Sequence, residues 1–178
     1  MTAPVLPSAG SPFWRFSLRF YRQPEVADAC ITLQEQVGVD VNLLLFLLWH
    51  AAQKRALSRA EISELEARIA PWRNTTVVPL RTMRRALKSP PVLVGGATAE
   101  LFRTKIKAAE LEAERLQQEA MHALAVPSLL GKDAASLEAA ARANMAAYAA
   151  LCGAAPLPSS ASETLLAALA SLERNPEE

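Results

Sequence analysis

Cysteine is nearly absent: Cys30 and Cys152 are the only two in 178 residues. Two thiols so far apart, each on an apolar helical stretch, exclude a disulfide framework and read as buried, reduced side chains of a cytoplasmic protein. Histidine is as rare, with His50 and His122 alone, so no convergent ligand set for zinc is expected. Aspartate stands only at positions 28, 40 and 133. That rules out the paired Asp-rich segments with which helical isoprenoid-type synthases hold magnesium. The chain has no GxSxG elbow, no P-loop, no GxGxxG and no HExxH. Gly95-Gly96 before a helix reads as a turn rather than a phosphate site. No catalytic residue, metal ligand or cofactor is therefore expected. The longest strongly apolar run, Leu43 to Trp49, falls far short of the roughly twenty residues that cross a bilayer. The first twelve residues, MTAPVLPSAGSP, lack the basic start and apolar centre of a signal peptide. Residues 1–10 read as a disordered tail. The formal charge of +1 gives no global argument for nucleic acid or membrane, so any such argument must be local.

Half of the residues are apolar (51%), few are aromatic (6%), and alanine is abundant. That composition favours close-packed helices over sheets. The expectation is an all-α, single-domain bundle of about six to eight helices, with one long helix and an Ala-rich C-terminal extension.

The joints are legible between residues 11 and 52. Ser11 caps and Pro12 opens a helix through Tyr21, with Phe13, Phe16 and Phe20 on one face and Arg15, Arg19 and Arg22 along another edge. Pro24 is placed to start a second helix, on which Val26, Cys30, Leu33 and Val37 share a face. Gly38 supplies the left-handed stop, and Asp40 the cap of a third helix. From Val41 to Ala52 that helix is apolar all round, as befits the central helix of a core.

These same residues carry a resemblance. The wording FW-x-FSL-x-x-Y-x-x-P-x-V, then AC-x-x-LQ, DVNLLLF-x-LW and VVPLRTMRRALK, resembles a bacterial family of uncharacterised helical proteins labelled as a domain of unknown function. The likeness spans roughly Ser11 to Met121. It implies a helical fold and brings no activity, cofactor or catalytic residue with it.

Further along, Ser58 and Glu61 form a capping box, with Leu57 and Ile62 as its hydrophobic staple. The helix they open is expected to stop near Ala70, because Pro71 restricts the residue before it. Trp72 to Val78 then reads as a connector leading to a helix from Pro79 to Lys88. A long helix follows from about Thr98 to Ala125. Its seam of Phe102, Ile106, Ala109, Ala113, Leu116, Ala120 and Ala123 would admit a close partner helix, from within the bundle or from a second copy as a homodimer. Glu110, Glu112, Glu114, Arg115 and Glu119 are assigned to its wet side. Pro127 ends it. The expected division is thus a helical core over 11–126, an Ala-rich helix packed on that core over 127–152, and a linker with a C-terminal helix over 153–178. In the last segment Ser160 and Glu163 form a capping box. The longest strand candidate is Val92 to Val94.

One local excess of charge hints at function. Between Pro71 and Gly96 stand five cations, Arg73, Arg81, Arg84, Arg85 and Lys88, and no Asp or Glu. On a helix, Arg81, Arg84, Arg85 and Lys88 share one side and Leu80, Met83 and Leu87 the other. Trp72 adds a stacking surface, and guanidinium groups bind phosphate or carboxylate bidentately. The bland alternative is a solvated face paired with Glu61, Glu64 and Glu66. The functional reading is a non-enzymatic interaction or adaptor protein that contacts another protein through this face, with an anionic ligand or nucleic acid as the alternative partner. A second candidate site is a pocket beneath the N-terminal aromatics, near Trp14, Tyr21, Trp49 and His50, with arginines supplying anion contacts, as in a small-molecule binder or an enzyme. A deep pocket holding His50 and an arginine would favour that ligand reading. For His50 the bland alternative is a buried imidazole, and for Asp40 and Asn42 it is helix capping.

Overall fold

The computed structural model describes residues 10–90, 93–125, 130–153 and 156–174. It is all-α. Helix α1 spans Pro12–Tyr21, with the Ser11 hydroxyl accepting from the Trp14 amide at 3.1 Å and Pro12 in the first turn, as the sequence predicts. Helix α2 spans Val26–Val37. It begins two residues after Pro24, because Glu25 first turns the chain through a left-handed conformation at φ 62°. Gly38, at φ 76°, stops it without the Cβ clash another residue would meet there. Asp40 accepts from the Leu43 amide at 3.0 Å to cap α3, Val41–Ala52.

Helix α3 is the axis of the fold. Nine of its twelve residues are buried. It packs on α1, α2 and, further along the chain, on the helices α6 (Gly96–Ala125), α7 (Leu137–Leu151) and α8 (Ser159–Arg174). Leu44, Leu45 and Leu48 are buried, whereas Trp49, placed among the core residues by its apolar neighbours, is only partly covered. Two short strands, β1 (Arg55–Ala56) just after α3 and β2 (Lys132–Asp133) just before α7, pair antiparallel with Arg55 opposite Asp133. This ladder, which no strand pattern announced, occupies part of the 127–152 stretch expected as one Ala-rich helix, and α7 itself begins at Leu137. Gly131 permits it: at φ 74° a Cβ would lie 2.8 Å from the Ala56 carbonyl oxygen. On α7, Asn144 is fully buried and accepts from the Leu57 amide at 2.7 Å while donating to the Leu47 carbonyl at 2.9 Å. Helix α8 docks on α2 and α7 through Leu165, Leu166 and Leu169. Its Glu163 is turned to Arg142 of α7 rather than to a capping box.

The main departure from the sequence reading lies at Pro71. The Ser58–Glu61 capping box opens α4 as expected, but α4 (Arg59–Trp72) runs through Pro71 and continues as a π turn, Arg73–Val77, into α5 (Val78–Ala86). The Val78 amide donates to the Arg73 carbonyl, five residues back. Two rings without N–H groups, Pro71 and Pro79, bracket this wide turn, and the Thr75 hydroxyl donates to the Pro71 carbonyl at 2.8 Å. A π turn accommodates the missing donors without ending the helix.

The long α6 also packs by an unexpected face. Phe102, Ala109, Ala120 and Ala123 of the predicted seam are exposed. The buried set is Ala99, Glu110, Ala113, Gln117, Gln118, Glu119 and Met121, so Glu110 and Glu119 leave the wet side. The tail expected over residues 1–9, the helix end expected at Pro127, and the loop and linker residues at 91–92 and 154–155 lie outside the described residues.

Candidate functional site

Helices α5 and α6 form a hairpin, and the basic residues of α5 point across it. Arg81 is fully engaged: Nε donates to Glu110 at 3.0 Å, Nη2 to Glu114 at 2.7 Å, and Nη1 to Gln34 of α2 at 3.1 Å. Arg84 shares the Glu110 carboxylate. Arg73, on the π turn, bridges Glu66 at 2.9 Å and Asp40 at 3.2 Å. Trp72 donates its indole N–H to the Ala113 carbonyl at 3.1 Å, which fastens the π turn to α6. Arg73, Arg81 and Arg84 of the acid-free segment are therefore neutralised by Glu66 of α4, by Asp40 at the start of α3, and by Glu110 and Glu114 of α6. Among the sequence's expected acidic partners only Glu66 takes part. Arg85, 3.6 Å from an exposed Glu35, and the exposed Lys88 remain outward.

The electrostatics follow from this geometry. Burial pushes the Glu110 carboxyl up, but hydrogen bonds and charge from Arg84 and Arg81 outweigh it and hold the group below the ordinary carboxylate range. Glu114 goes the other way, since its burial outweighs the single Arg81 contact and raises its pKa. Beside them Asp40 is the centre of a polar hub. Its amide donates to the Tyr148 hydroxyl at 2.8 Å, and its carboxylate accepts from Gln117 at 3.2 Å as well as from Arg73.

The predicted pocket residues divide in two. Trp14 and Tyr21 line an open cavity of about 190 Å³ whose polar members include Arg81, Glu114, Ser17, Asn42 and Gln118. Arg81, Gln34 and Asn42 also border a second cavity of about 250 Å³, next to Asp40 and Arg73. Trp49 and His50 lie elsewhere, in an aromatic cluster with Phe13, Phe46 and His122. Burial lowers the His50 pKa to about 4, so the ring is neutral at pH 7. Cys30 is buried, and its thiol is pushed up to about 12. Among the described residues, no three His, Cys, Asp or Glu side chains converge as metal ligands. Nor is any helix among them long and apolar enough to cross a membrane.

Sequence reasoning passed over Ser17, Gln34, Glu110, Glu114, Gln117 and Gln118. For the four on α6 the signal was a polar stripe, since Glu110, Glu114, Gln117 and Gln118 recur at helical spacing opposite an acid-free helix; Ser17 on α1 and Gln34 on α2 carried none.

The profile of one protein family, described as "Protein of unknown function (DUF2390)", matches residues 12–121. That span is nearly the stretch over which the sequence wording carries its resemblance. Neither a curated protein nor a solved structure matches the chain.

Proposed function

We propose, since the chain belongs to the DUF2390 family of proteins of unknown function, that this member is a non-enzymatic, cytoplasmic interaction protein whose contact surface is the α5–α6 hairpin. The observation that carries the reading is the state of α5. Its polar and apolar residues segregate sharply, yet none of its residues is buried. An amphipathic helix ordinarily spends its apolar face on a core. Here Val78 and Met83 remain 41% and 45% exposed, and the same hairpin adds Leu93, Val94, Leu101 and Phe102, each at least 44% exposed. Large apolar side chains left in water together mark contact surfaces. Arg85 and Lys88 flank them and suit an acidic rim on a partner protein. An anionic ligand or nucleic acid is favoured less, because it would have to compete with Glu110 and Glu114 for Arg81 and Arg84. The two free thiols accord with a reducing compartment.

The test uses affinity capture from native lysate with the wild-type chain, a Met83→Ser/Phe102→Ser variant and an Arg85→Glu/Lys88→Glu variant. A partner held by the wild type should be lost by the first variant and weakened by the second. Both variants should keep thermal stability within about 0.5 kcal/mol, as exposed substitutions do. The same proteins retained by all three chains would sink the reading. Sedimentation velocity of the chain alone tests whether that partner is a second copy.

A further inference from the structure

We propose that the cavity lined by Trp14 and Tyr21 is a binding site for a compact aromatic group carrying one neutral N–H or O–H donor, which it gives to Gln118 Oε1. The cavity takes Arg81, Leu111, Glu114 and Gln118 from the α5–α6 hairpin but none of the exposed apolar residues of the proposed contact surface. Its floor is the first argument. Ser17 and Gln118 are each 3% exposed and line the cavity, and Ser17 Oγ and Gln118 Oε1 are buried without a hydrogen-bond partner. A buried acceptor left unmet carries the cost of its lost hydration, which a donating occupant relieves. The Gln118 amide is oriented by its own donor, since Nε2 is given to Asn42 Oδ1 at 2.7 Å. What it has left to offer is the oxygen.

Charge and size narrow the occupant. Arg81 is the one cation on the cavity wall, and its guanidinium is spent on Glu110, Glu114 and Gln34. With Glu114 on the same wall, the formal charges cancel, so neither an anion nor a cation gains from entering. A volume of about 190 Å³ is below the ~300 Å³ at which drug-sized pockets begin, and it suits one ring system. The walls are made for a ring. Trp14 and Tyr21 offer aromatic faces and edges, and Leu45 and Leu111 close the remaining sides. Water can meet the floor oxygens but gains nothing from such walls, whereas an aromatic donor satisfies both. At the mouth, Tyr21, Ile31 and Leu111 are 40%, 44% and 54% exposed, leaving an apolar entrance. The ring can come from a free metabolite or from a tryptophan or tyrosine side chain of another protein.

The experiment is a ¹H–¹⁵N NMR titration of the full chain with indole, with 1-methylindole, which lacks the N–H, and with N-acetyltryptophan amide. Indole should bind saturably, with shifts centred on the Trp14 indole N–H and on residues 17 and 118. 1-Methylindole should bind at least about tenfold more weakly, the equivalent of one acceptor left unpaired. In a Gln118→Met variant the two should bind alike. Ser17→Ala, a milder change, should reduce the discrimination without touching the Asn42 contact, and it serves where Gln118→Met does not fold. Binding of indole and of N-acetyltryptophan amide would support the site with a protein side chain as the source, and binding of indole alone would support it with a free molecule. Equal affinity for indole and 1-methylindole in the wild type overturns the donor requirement, and no saturable binding of either overturns the site.

Discussion

Helices α3 and α5 both pack on α6 and are opposites in physics. Nine of the twelve residues of α3 are buried, and none of the nine residues of α5 is. The first is held by apolar packing from α1, α2, α6, α7 and α8. The second is held by arginines clasping carboxylates, with Arg81 and Arg84 on Glu110 as the central knot. Apolar burial is non-directional and tolerates any side chain of the right size, so it serves a core. Ion pairs fix direction and contribute less where water reaches them. Apolar packing is thus concentrated in the α3 bundle, and the hairpin leaves large apolar side chains exposed.

The largest effect that would break this contrast comes from the core. Leu48→Ala, at a fully buried position of α3, should cost about 2–5 kcal/mol in chemical denaturation. A midpoint equal to wild type would mean that α3 is not the axis of the fold.

Acid provides a graded test of the same bundle. His50 is buried and its pKa is lowered to about 4, so the folded chain holds the ring neutral while the unfolded chain takes a proton near the ordinary imidazole value of 6.5. The sign follows: the unfolded state binds more protons as pH falls, and folding stability declines between about pH 6.5 and 4. A His50→Gln variant should lose most of that slope. Denaturation midpoints across this window, showing the same slope in both chains, would refute the burial of a neutral imidazole.

The smallest global effect should come from the hairpin, where Glu110→Gln removes the charge shared by Arg81 and Arg84. Overall stability should fall by about 1 kcal/mol or less, because both arginines reach water and Arg81 keeps Glu114. Amide exchange should nonetheless accelerate in α5 while α3 stays protected. Since the Glu110 pKa is depressed, wild-type chain should show the same loosening as pH falls below the ordinary carboxylate range. Uniform exchange across both helices would show that the hairpin is not a separate, charge-held unit.

Much of the fold was legible because its signals are local. The Ser11 and Asp40 caps, the Gly38 stop and the Ser58–Glu61 box each act within one turn of chain, and each stands where the residues put it. The misreading at Pro71 was local too: proline usually ends a helix, and here a π turn absorbed it. The candidate site was half legible. Trp14, Tyr21 and Arg81 could be singled out by type, but Gln118 lies 101 positions from Ser17 and nothing in either neighbourhood announces the other.

The sequence by itself therefore determined the helices, their caps and the all-apolar α3, since these follow from spacing and from backbone groups within a few residues of one another. Only the tertiary structure decided that Glu110 and Glu114 neutralise the basic helix, that Gln117 and Gln118 turn inward, and that Trp14 lines a cavity while Trp49 packs against Phe13, Phe46 and His122. Those outcomes depend on which helices lie side by side. Charge pairing and burial are set by distance through space, and spacing along the chain does not encode it.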